Sequence, residues 1–153
     1  MKTFKHTGVF VLAILTFWTC NKQDETLDLN SGYHFVADLM EYCRGTCDET
    51  DPWENKATHV KGHIRDIENN SIVQSYYENS RFYLEDIRNG MFMEIRVVSS
   101  KDEVFDKIRQ ARKADRFYIR GIAVSVQAQN DGDCTEGVVI ELYHDSNLLI
   151  NAE

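Results

Sequence analysis

The sequence predicts a mainly β protein, a five-stranded barrel in Greek-key order with one helix between the third and fourth strands and a short N-terminal helix. Three observations predict it. Apolar and polar residues alternate with the two-residue period of a strand in several short segments. One amphipathic segment of helical period interrupts these strands, and two of the strands carry a glycine at matching points.

A short helix is predicted near the start of the domain. The apolar residues Val36, Leu39, Met40 and Cys43 follow helical spacing, with Ser31 or Gly32 upstream as its start. We expect this helix to end at Arg44-Gly45. The segment 46–54 is rich in acidic residues and contains the one proline, which favours a loop.

The first three strands follow from alternation and from one turn. In the first strand, Thr58, Val60, Gly62 and Ile64 alternate with His59, Lys61, His63 and Arg65. Segments 81–87 and 91–98 alternate similarly, and the Asn89-Gly90 pair between them supplies the positive φ angles of a tight hairpin turn. Residues 68–79 are expected to form a long loop before this hairpin.

The second half of the chain predicts the helix and two more strands. Ser100 and Glu103 form a capping-box pattern, and Val104, Ile108 and Ala111 recur on one helical face. A strand over 116–127, a polar turn over 130–137 and a strand over 138–143 follow. The last apolar residues, 148–150, are expected either to close the sheet or to pack beneath it.

The order strand, strand, strand, helix, strand, strand resembles the oligonucleotide/oligosaccharide-binding (OB) barrel, a five-stranded Greek-key fold. Gly62 and Gly121 lie mid-strand in the first and fourth strands, where barrel strands must bend sharply. The resemblance covers residues 57–145 and includes the small OB-like domains of Bacteroidota lipoproteins. It implies ligand binding near the loop 68–79. Another antiparallel α+β roll made of the same elements is the alternative.

The N-terminus indicates export. Lys2 and Lys5 precede an apolar run from Val9 to Trp18, which is too short to span a bilayer and is typical of a signal peptide. The residues Phe17-Trp18-Thr19-Cys20 resemble the relaxed lipobox of Bacteroidota-type lipoproteins, which implies cleavage before Cys20 and acylation of that cysteine. We therefore predict a signal peptide over 1–19, a lipidated tether over 20–31 and one domain over 32–153. An ordinary signal peptide followed by an unmodified cysteine is the alternative.

The location follows from the same resemblance. Residues 21–25, Asn-Lys-Gln-Asp-Glu, resemble the short tag of surface-exposed lipoproteins of that group. The expectation is a lipid anchor in the outer membrane, with the domain facing either the cell surface or the periplasm. The tag slightly favours the cell surface.

The charge of the chain limits its partners. The sequence carries 25 acidic and 17 basic side chains, a net charge of −8, and removal of residues 1–19 takes away two lysines and no acid. Such a protein is expected to repel nucleic acid and anionic lipid head groups, whose binding needs a basic surface. Nucleic acid is therefore excluded as an expected partner.

The cysteines are predicted to form one disulfide. If Cys20 is acylated, Cys43, Cys47 and Cys134 remain. Gly45 can bring Cys43 and Cys47 close enough to pair, and this pairing is slightly preferred over a bond from Cys134 to the N-terminal segment. A zinc or copper site made of Cys43, Cys47 and either His59 or His63 is the alternative, but its spacing fits no standard signature.

A candidate binding face lies on one side of the first three strands. It comprises His59, Lys61, His63, Arg65, Tyr83, Phe92 and Arg96, together with Glu85 and Glu94. Its functional interpretation is a mixed polar and aromatic ligand surface. Its alternative, which the alternation by itself predicts, is the solvated outer face of a half-buried sheet.

Two further patterns bear on chemistry. The residues Asn130-Asp131-Gly132-Asp133 with Glu136 suit an acidic turn better than a calcium site, since they lack the EF-hand spacing. Motifs for nucleophilic catalysis, zinc hydrolysis and phosphate or dinucleotide binding are absent from the sequence. We therefore expect no enzyme and no cofactor.

The expected function is that of a non-catalytic binding or accessory module at the cell envelope, with a glycan or a protein as ligand. The alternatives are a structural subunit of an outer-membrane complex and a metal- or thiol-binding envelope protein. The sequence does not distinguish among their ligands.

Overall fold

The computed structural model describes residues 32–43, 53–130 and 133–151, and it describes the backbone but not the side chains of 128–130 and 133–136. The elements in chain order are β1 (His34–Phe35), α1 (Val36–Tyr42), β2 (Ala57–Ile64), α2 (Asn70–Glu78), β3 (Arg81–Asp86), β4 (Met91–Val97), α3 (Lys101–Gln110), β5 (Arg116–Asn130), β6 (Asp133–Leu142), a 3₁₀ turn (Asp145–Asn147) and β7 (Leu148–Asn151).

Five of these strands close into a barrel. The hydrogen-bonded order is β2-β3-β4-β6-β5, and β2 also pairs with β5, which closes the ring. The β4–β6 pair is parallel, and the other four pairs of the ring are antiparallel. This confirms the predicted fold class, an OB-like Greek-key barrel with a helix between its third and fourth strands and a short N-terminal helix.

The barrel interior is filled by the apolar residues of each alternating strand. The largest fully buried side chains on the strands are Phe82, Leu84, Met93, Ile95, Phe117, Ile119, Ile140, Leu142 and Leu148. Leu39 of α1 and Phe105 and Ile108 of α3 join the same apolar cluster. Because each such side chain stabilises the fold by about 1.5–3 kcal/mol when buried, strand alternation determines which face turns inward.

Glycine allows β2 and β5 to exchange neighbours. At Gly62, β2 leaves β5 and begins to pair with β3, and at Gly121, β5 reaches the start of its pairing with β6. A Cβ atom on Gly62 would lie 2.6 Å from the carbonyl oxygen of Glu85, and one on Gly121 would lie 2.6 Å from that of Glu141. The predicted glycines therefore permit close backbone approach at the points where the barrel closes.

The structure differs from the sequence prediction in the connection between the first two barrel strands. Most of segment 68–79, expected to be a loop, is the nine-residue helix α2. The Asn69 side chain accepts hydrogen bonds from the backbone N–H groups of Ser71 and Ile72, and Val73 and Tyr76 are buried on one side of the helix. The cap and the apolar spacing together explain the helix.

The start of α3 also differs. Ser100 has a left-handed backbone conformation, with φ 54°, and its side chain forms no capping hydrogen bond. An N-cap side chain reaches the first turn from an extended conformation, so the predicted capping box is not formed. The helix itself lies where predicted, and Val104, Phe105 and Ile108 are its buried residues.

Short segments at both ends extend the barrel sheet. Near the N-terminus, β1 pairs in parallel with β2, and α1 follows directly. At the C-terminal end, β7 pairs with β5, so the last apolar residues join the sheet.

The predicted end of the first helix at Arg44-Gly45 lies outside the described residues. Within the described ranges, no helix combines the length and apolar character needed to cross a bilayer.

We expect Gly62→Ala and Gly121→Ala each to lower the free energy of unfolding by about 2 kcal/mol, since the added methyl group meets backbone that cannot move aside. Urea denaturation measures the change. The matched control is Gly137→Ala, also in a strand, whose Cβ would meet its nearest neighbour at an ordinary 3.9 Å. Equal stability of the three variants would contradict this role of the two glycines.

Candidate functional site

The predicted binding-face residues lie on the outside of the barrel, and the strand register aligns them. His63, Glu85 and Phe92 are neighbours across β2, β3 and β4. One step along, the backbone N–H of Arg65 donates to the carbonyl of Tyr83, which is paired with Glu94. Arg96 follows on β4, opposite Arg81. The geometry thus brings five of the seven predicted ligand-contacting residues together on one surface, namely His63, Arg65, Tyr83, Phe92 and Arg96.

The other two predicted residues, His59 and Lys61, lie on the part of β2 that pairs with β5, and each is half-buried against one ring of the N-terminal segment. The ring of Tyr33 stacks on His59, with ring centroids 5.2 Å apart. The Nζ atom of Lys61 lies 4.2 Å from the centre of the Phe35 ring. These two residues therefore belong to a different environment from the other five.

Cations and rings on the predicted face are engaged with one another. The Arg65 guanidinium lies 4.3 Å from the centre of the Phe92 ring, and Tyr83 makes an edge contact with that ring. Arg96 donates to Glu94, which also accepts from Arg81. Since Phe92, Tyr83 and the three arginines already contact one another or Glu94, this surface is not an open row of stacking platforms.

The hydroxyl of Tyr76 attaches α2 to the segment that directly follows β2. It donates to the carbonyl oxygen of Arg65 at 3.1 Å, and the ring makes an edge contact with Tyr83. Burial, assisted by the nearby Asp66 carboxylate, raises the pKa of Tyr76 to about 12. The hydroxyl therefore stays protonated and keeps α2 attached to β2 at physiological pH.

A cleft of about 650 Å³ opens beside His63 and Glu85. It lies between the end of β2, the start of α2 and the end of β3. Its lining residues are His63, Ile64, Asp66, Ile67, Glu68, Asn69, Asn70, Ser71, Glu85, Ile87 and Lys113. Its volume falls within the range of roughly 300–1,000 Å³ that is usual for small-ligand sites.

The cleft offers several kinds of polar group. Its three carboxylates are those of Asp66, Glu68 and Glu85, and two of them have basic neighbours. Asp66 lies 3.5 Å from Arg65, and Glu68 lies 3.1 Å from Lys113. Among the described residues, Glu85 forms no ion pair, so its carboxylate is available to a ligand.

The sequence prediction anticipated part of this cleft. Its lining residues His63 and Glu85 belong to the predicted face, and four others belong to segment 68–79, near which ligand binding was expected. The prediction did not include the remaining lining residues, Ile64, Asp66, Ile67, Ile87 and Lys113. A signal for the helix was present, because Asn69 precedes Val73 and Tyr76 at helical spacing. No pattern in the sequence could indicate that Lys113 approaches Glu68 from another part of the chain.

A second, smaller groove of about 250 Å³ lies on the outside of β2 and β5. It is lined by Ala57, His59, Arg120, Gly121, Ile122, Tyr143 and Asn147. It forms where β6 has left β5, after Ile122, and β7 has not yet joined it, at Ile119. Arg120 donates from Nε to the Tyr33 hydroxyl beside this groove.

A buried carboxylate attaches the N-terminal segment to the barrel. Asp86 is 2% exposed and accepts hydrogen bonds from the Arg88 guanidinium, with the shortest at 2.6 Å, and from the Arg88 backbone N–H. The Ala37 backbone N–H in α1 donates to it as well. Arg88, followed by these amides, holds the pKa of Asp86 below its usual value despite burial. The same guanidinium lies 3.7 Å from the centre of the Phe35 ring.

The cysteine and metal hypotheses fall largely outside the described part of the chain. Cys43 is buried at the end of α1. Cys47 is not described, nor is the side chain of Cys134, so the predicted Cys43–Cys47 disulfide stays a prediction. The turn predicted over 130–137 is wrong in its bounds, because β5 continues to Asn130 and β6 begins at Asp133, and only residues 131 and 132 between them lie outside the described backbone. In the ranges that are described, no three His, Cys, Asp or Glu side chains are placed to hold a metal ion.

Comparison with known proteins gives no family assignment. No protein-family model matches the chain, and a search of curated proteins finds no match. The function must therefore be argued from the geometry of the cleft and the face.

We expect Asp86→Asn to lower the free energy of unfolding by about 2 kcal/mol at pH 7, because it removes a buried charge that receives several hydrogen bonds. Because the pKa of Asp86 is lowered in the folded state, its contribution is fully present above about pH 5 and is lost as the pH falls below about 4. Urea denaturation at pH 7 and pH 3 should show a smaller difference between wild type and variant at pH 3 than at pH 7.

The control is Asp106→Asn, which removes an exposed carboxylate paired with Arg109 on α3 and should change stability little at either pH. A pH-independent loss in Asp86→Asn would show that the shape of the side chain, rather than its charge, carries the effect.

Proposed function

We propose that this chain is an exported lipoprotein, acylated at Cys20 in the outer membrane, whose OB-like domain is a non-catalytic ligand-binding module of the cell envelope. The single observation that carries the binding role is the 650 Å³ cleft beside His63 and Glu85. The anchor is supported by the N-terminal sequence, with its basic start, short apolar run and Cys20.

A glycan suits the cleft best. Sugars present many hydroxyl groups, each of which can donate and accept, so carboxylates, amides and hydroxyls are suitable partners. Glu85, Asn70 and Ser71 supply these three kinds of group in the cleft. Ile87, which is 67% exposed, adds an apolar contact for the carbon face of a ring. The mixture of acidic and neutral groups favours an uncharged or amino-bearing sugar over an anionic one.

A protein partner is the second candidate, and a different observation favours it. Ile87 and Phe92 are large exposed apolar side chains at the cleft and on the adjoining face. Exposed apolar residues beside a polar cleft are typical of interaction surfaces. In this case the domain would dock onto an envelope complex through the same edge of the barrel.

We expect Cys20→Ser to move the protein from the membrane to the soluble fraction and to abolish palmitate labelling, because the acyl chains are the covalent anchor and Cys20 is their proposed attachment site. Fractionation and intact mass of the protein from its native membrane measure this. A matched control is Asn30→Ser in the tether, which should remain in the membrane. A wild-type mass without acyl chains would contradict the anchor.

We expect Glu85→Gln to weaken glycan binding about tenfold, since a charged acceptor of a sugar hydroxyl becomes a neutral one. A glycan array with purified lipoprotein identifies the ligand, and calorimetry measures the change. The control Glu94→Gln alters a carboxylate of the same outer face that does not line the cleft.

Equal loss in both variants would assign binding to the whole face rather than to the cleft. Absence of binding across the array, together with capture of one membrane protein that Ile87→Asp prevents, would favour the protein partner.

A further inference from the structure

We propose that the outside of β2, β5 and β7 is the surface with which this domain rests on the lipid bilayer, through anionic head groups. The surface, called here the cationic face, comprises His59, Lys61, Tyr118, Arg120, Tyr143 and Leu149. The proposal rests on the proposed acylation of Cys20, and it adds an orientation that acylation by itself does not provide.

The first support is the place where the chain enters the domain. Tyr33, at the start of the described domain, packs on the cationic face. Its ring stacks on His59 and makes an edge contact with Tyr118, with centroids 5.1 Å apart. Its hydroxyl accepts a hydrogen bond from Arg120. The 12 residues from Cys20 to Ser31 span at most about 40 Å. Because Tyr33 follows this segment almost directly, the face that Tyr33 contacts is close along the chain to the acyl anchor.

The second support is the distribution of charge. In the described ranges, ion pairs use basic residues of β3, β4, α3 and the loops, whereas Lys61 and Arg120 take part in none. Two carboxylates lie near the cationic face. Asp145 pairs with Lys107, whereas Glu141 accepts from the hydroxyl of Tyr143, a residue of the face itself, and keeps its charge there. The two basic groups Lys61 and Arg120 against the one carboxylate of Glu141 leave this face with a small net positive charge on a chain of net charge −8.

The third support is the apolar character between the charges. Leu149 is 47% exposed and Tyr143 is 39% exposed. Leu149 lies opposite Tyr118, which lies opposite Lys61, so aliphatic, aromatic and basic groups alternate across three strands. Tyrosine with neighbouring lysine or arginine is the composition that proteins place at the boundary between lipid head groups and acyl chains.

The small groove gives this face a place for a head group. Arg120 and His59 lie directly opposite each other on its wall, and Ala57 and Ile122 form an apolar pair beside them. A guanidinium binds phosphate with two parallel hydrogen bonds. The geometry of the small groove therefore suits a lipid phosphate with its glycerol. The large cleft contains none of the six residues of the cationic face, so it stays available for a ligand.

The test places a reporter tryptophan on each side of the barrel. Leu149→Trp lies on the cationic face, and Phe92→Trp, at a similar 43% exposure, lies on β4. Around the closed ring, β7 and β4 are three steps apart through β5 and β6 and four steps apart through β5, β2 and β3, so the two reporters lie on different sides of the barrel. The intact lipoprotein is reconstituted into vesicles of phosphatidylcholine and phosphatidylglycerol that contain brominated lipid, which quenches tryptophan at short range. The signal of the parent protein, whose Trp53 is buried, is subtracted.

We expect at least twofold stronger quenching of Leu149→Trp than of Phe92→Trp. Adding Arg120→Glu to Leu149→Trp should reduce the population of the contacting orientation by about fivefold or more, since each basic group near an anionic surface contributes about that factor. The matched control is Lys101→Glu, which reverses another cation that rests on a tyrosine ring and should have no effect. Vesicles of phosphatidylcholine alone should give the weak quenching of the Arg120→Glu variant.

Two results would overturn the proposal, and they differ from each other. Equal or reversed quenching in protein whose intact mass shows acyl chains would refute the cationic face while leaving the anchor in place. An intact mass without acyl chains would refute the anchor, and the orientation would fall with it.

Discussion

Closure of the barrel between β2 and β5 is the constraint on which the rest of the structure depends. Six successive residue pairs, from Ala57–Ile122 to Gly62–Phe117, join these strands, and β2 then turns to β3. Without this pairing the sheet would be open, and the apolar residues of its inner face would have no opposing wall. Gly62 and Gly121 lie where these two strands pass to their next neighbours, β3 and β6, whose carbonyl groups at Glu85 and Glu141 approach more closely than a side chain allows.

Closure also separates the outer surface into regions with different tasks. On the β3 side of β2 lie the cleft, the aromatic contacts of Phe92 and the ion pairs of Glu94. On the β5 side lie Arg120, Lys61 and the entry of the N-terminal segment. The Asp86–Arg88 interaction fixes that segment, because Arg88 contacts the Phe35 ring while Asp86 receives the Ala37 amide. A lipid-anchored module with its ligand cleft and its membrane contact on different regions of one small barrel is the arrangement that we propose.

Alternation along the strands predicts which residues share the outer face, but it does not predict the contacts that these residues make. In the structure Arg65, Tyr83, Phe92 and Arg96 share one outer surface, because side chains two residues apart on a strand share a face. Nothing in the sequence indicates that Arg65 lies over Phe92, or that the rings of Tyr33 and Phe35 contact His59 and Lys61. The net charge of −8 predicts repulsion of anionic lipid, and the membrane contact that we propose departs from this expectation because it depends on the local charges of Lys61 and Arg120.

The sequence by itself determined the barrel strands, their inward faces, the helix α3 and the Greek-key order, since each depends on periodicity within a few neighbouring residues. It predicted the hairpin of β3 and β4 but not its turn, because residues 87–90 form a four-residue loop in which Gly90 has a positive φ and Asn89 does not. It also determined the expectation of an anchor at Cys20. The tertiary structure alone decided that Lys113 approaches Glu68, that Asp86 binds the start of α1 and that a groove opens between β6 and β7. These contacts join residues distant along the chain, and their positions follow from how the barrel closes rather than from any local pattern.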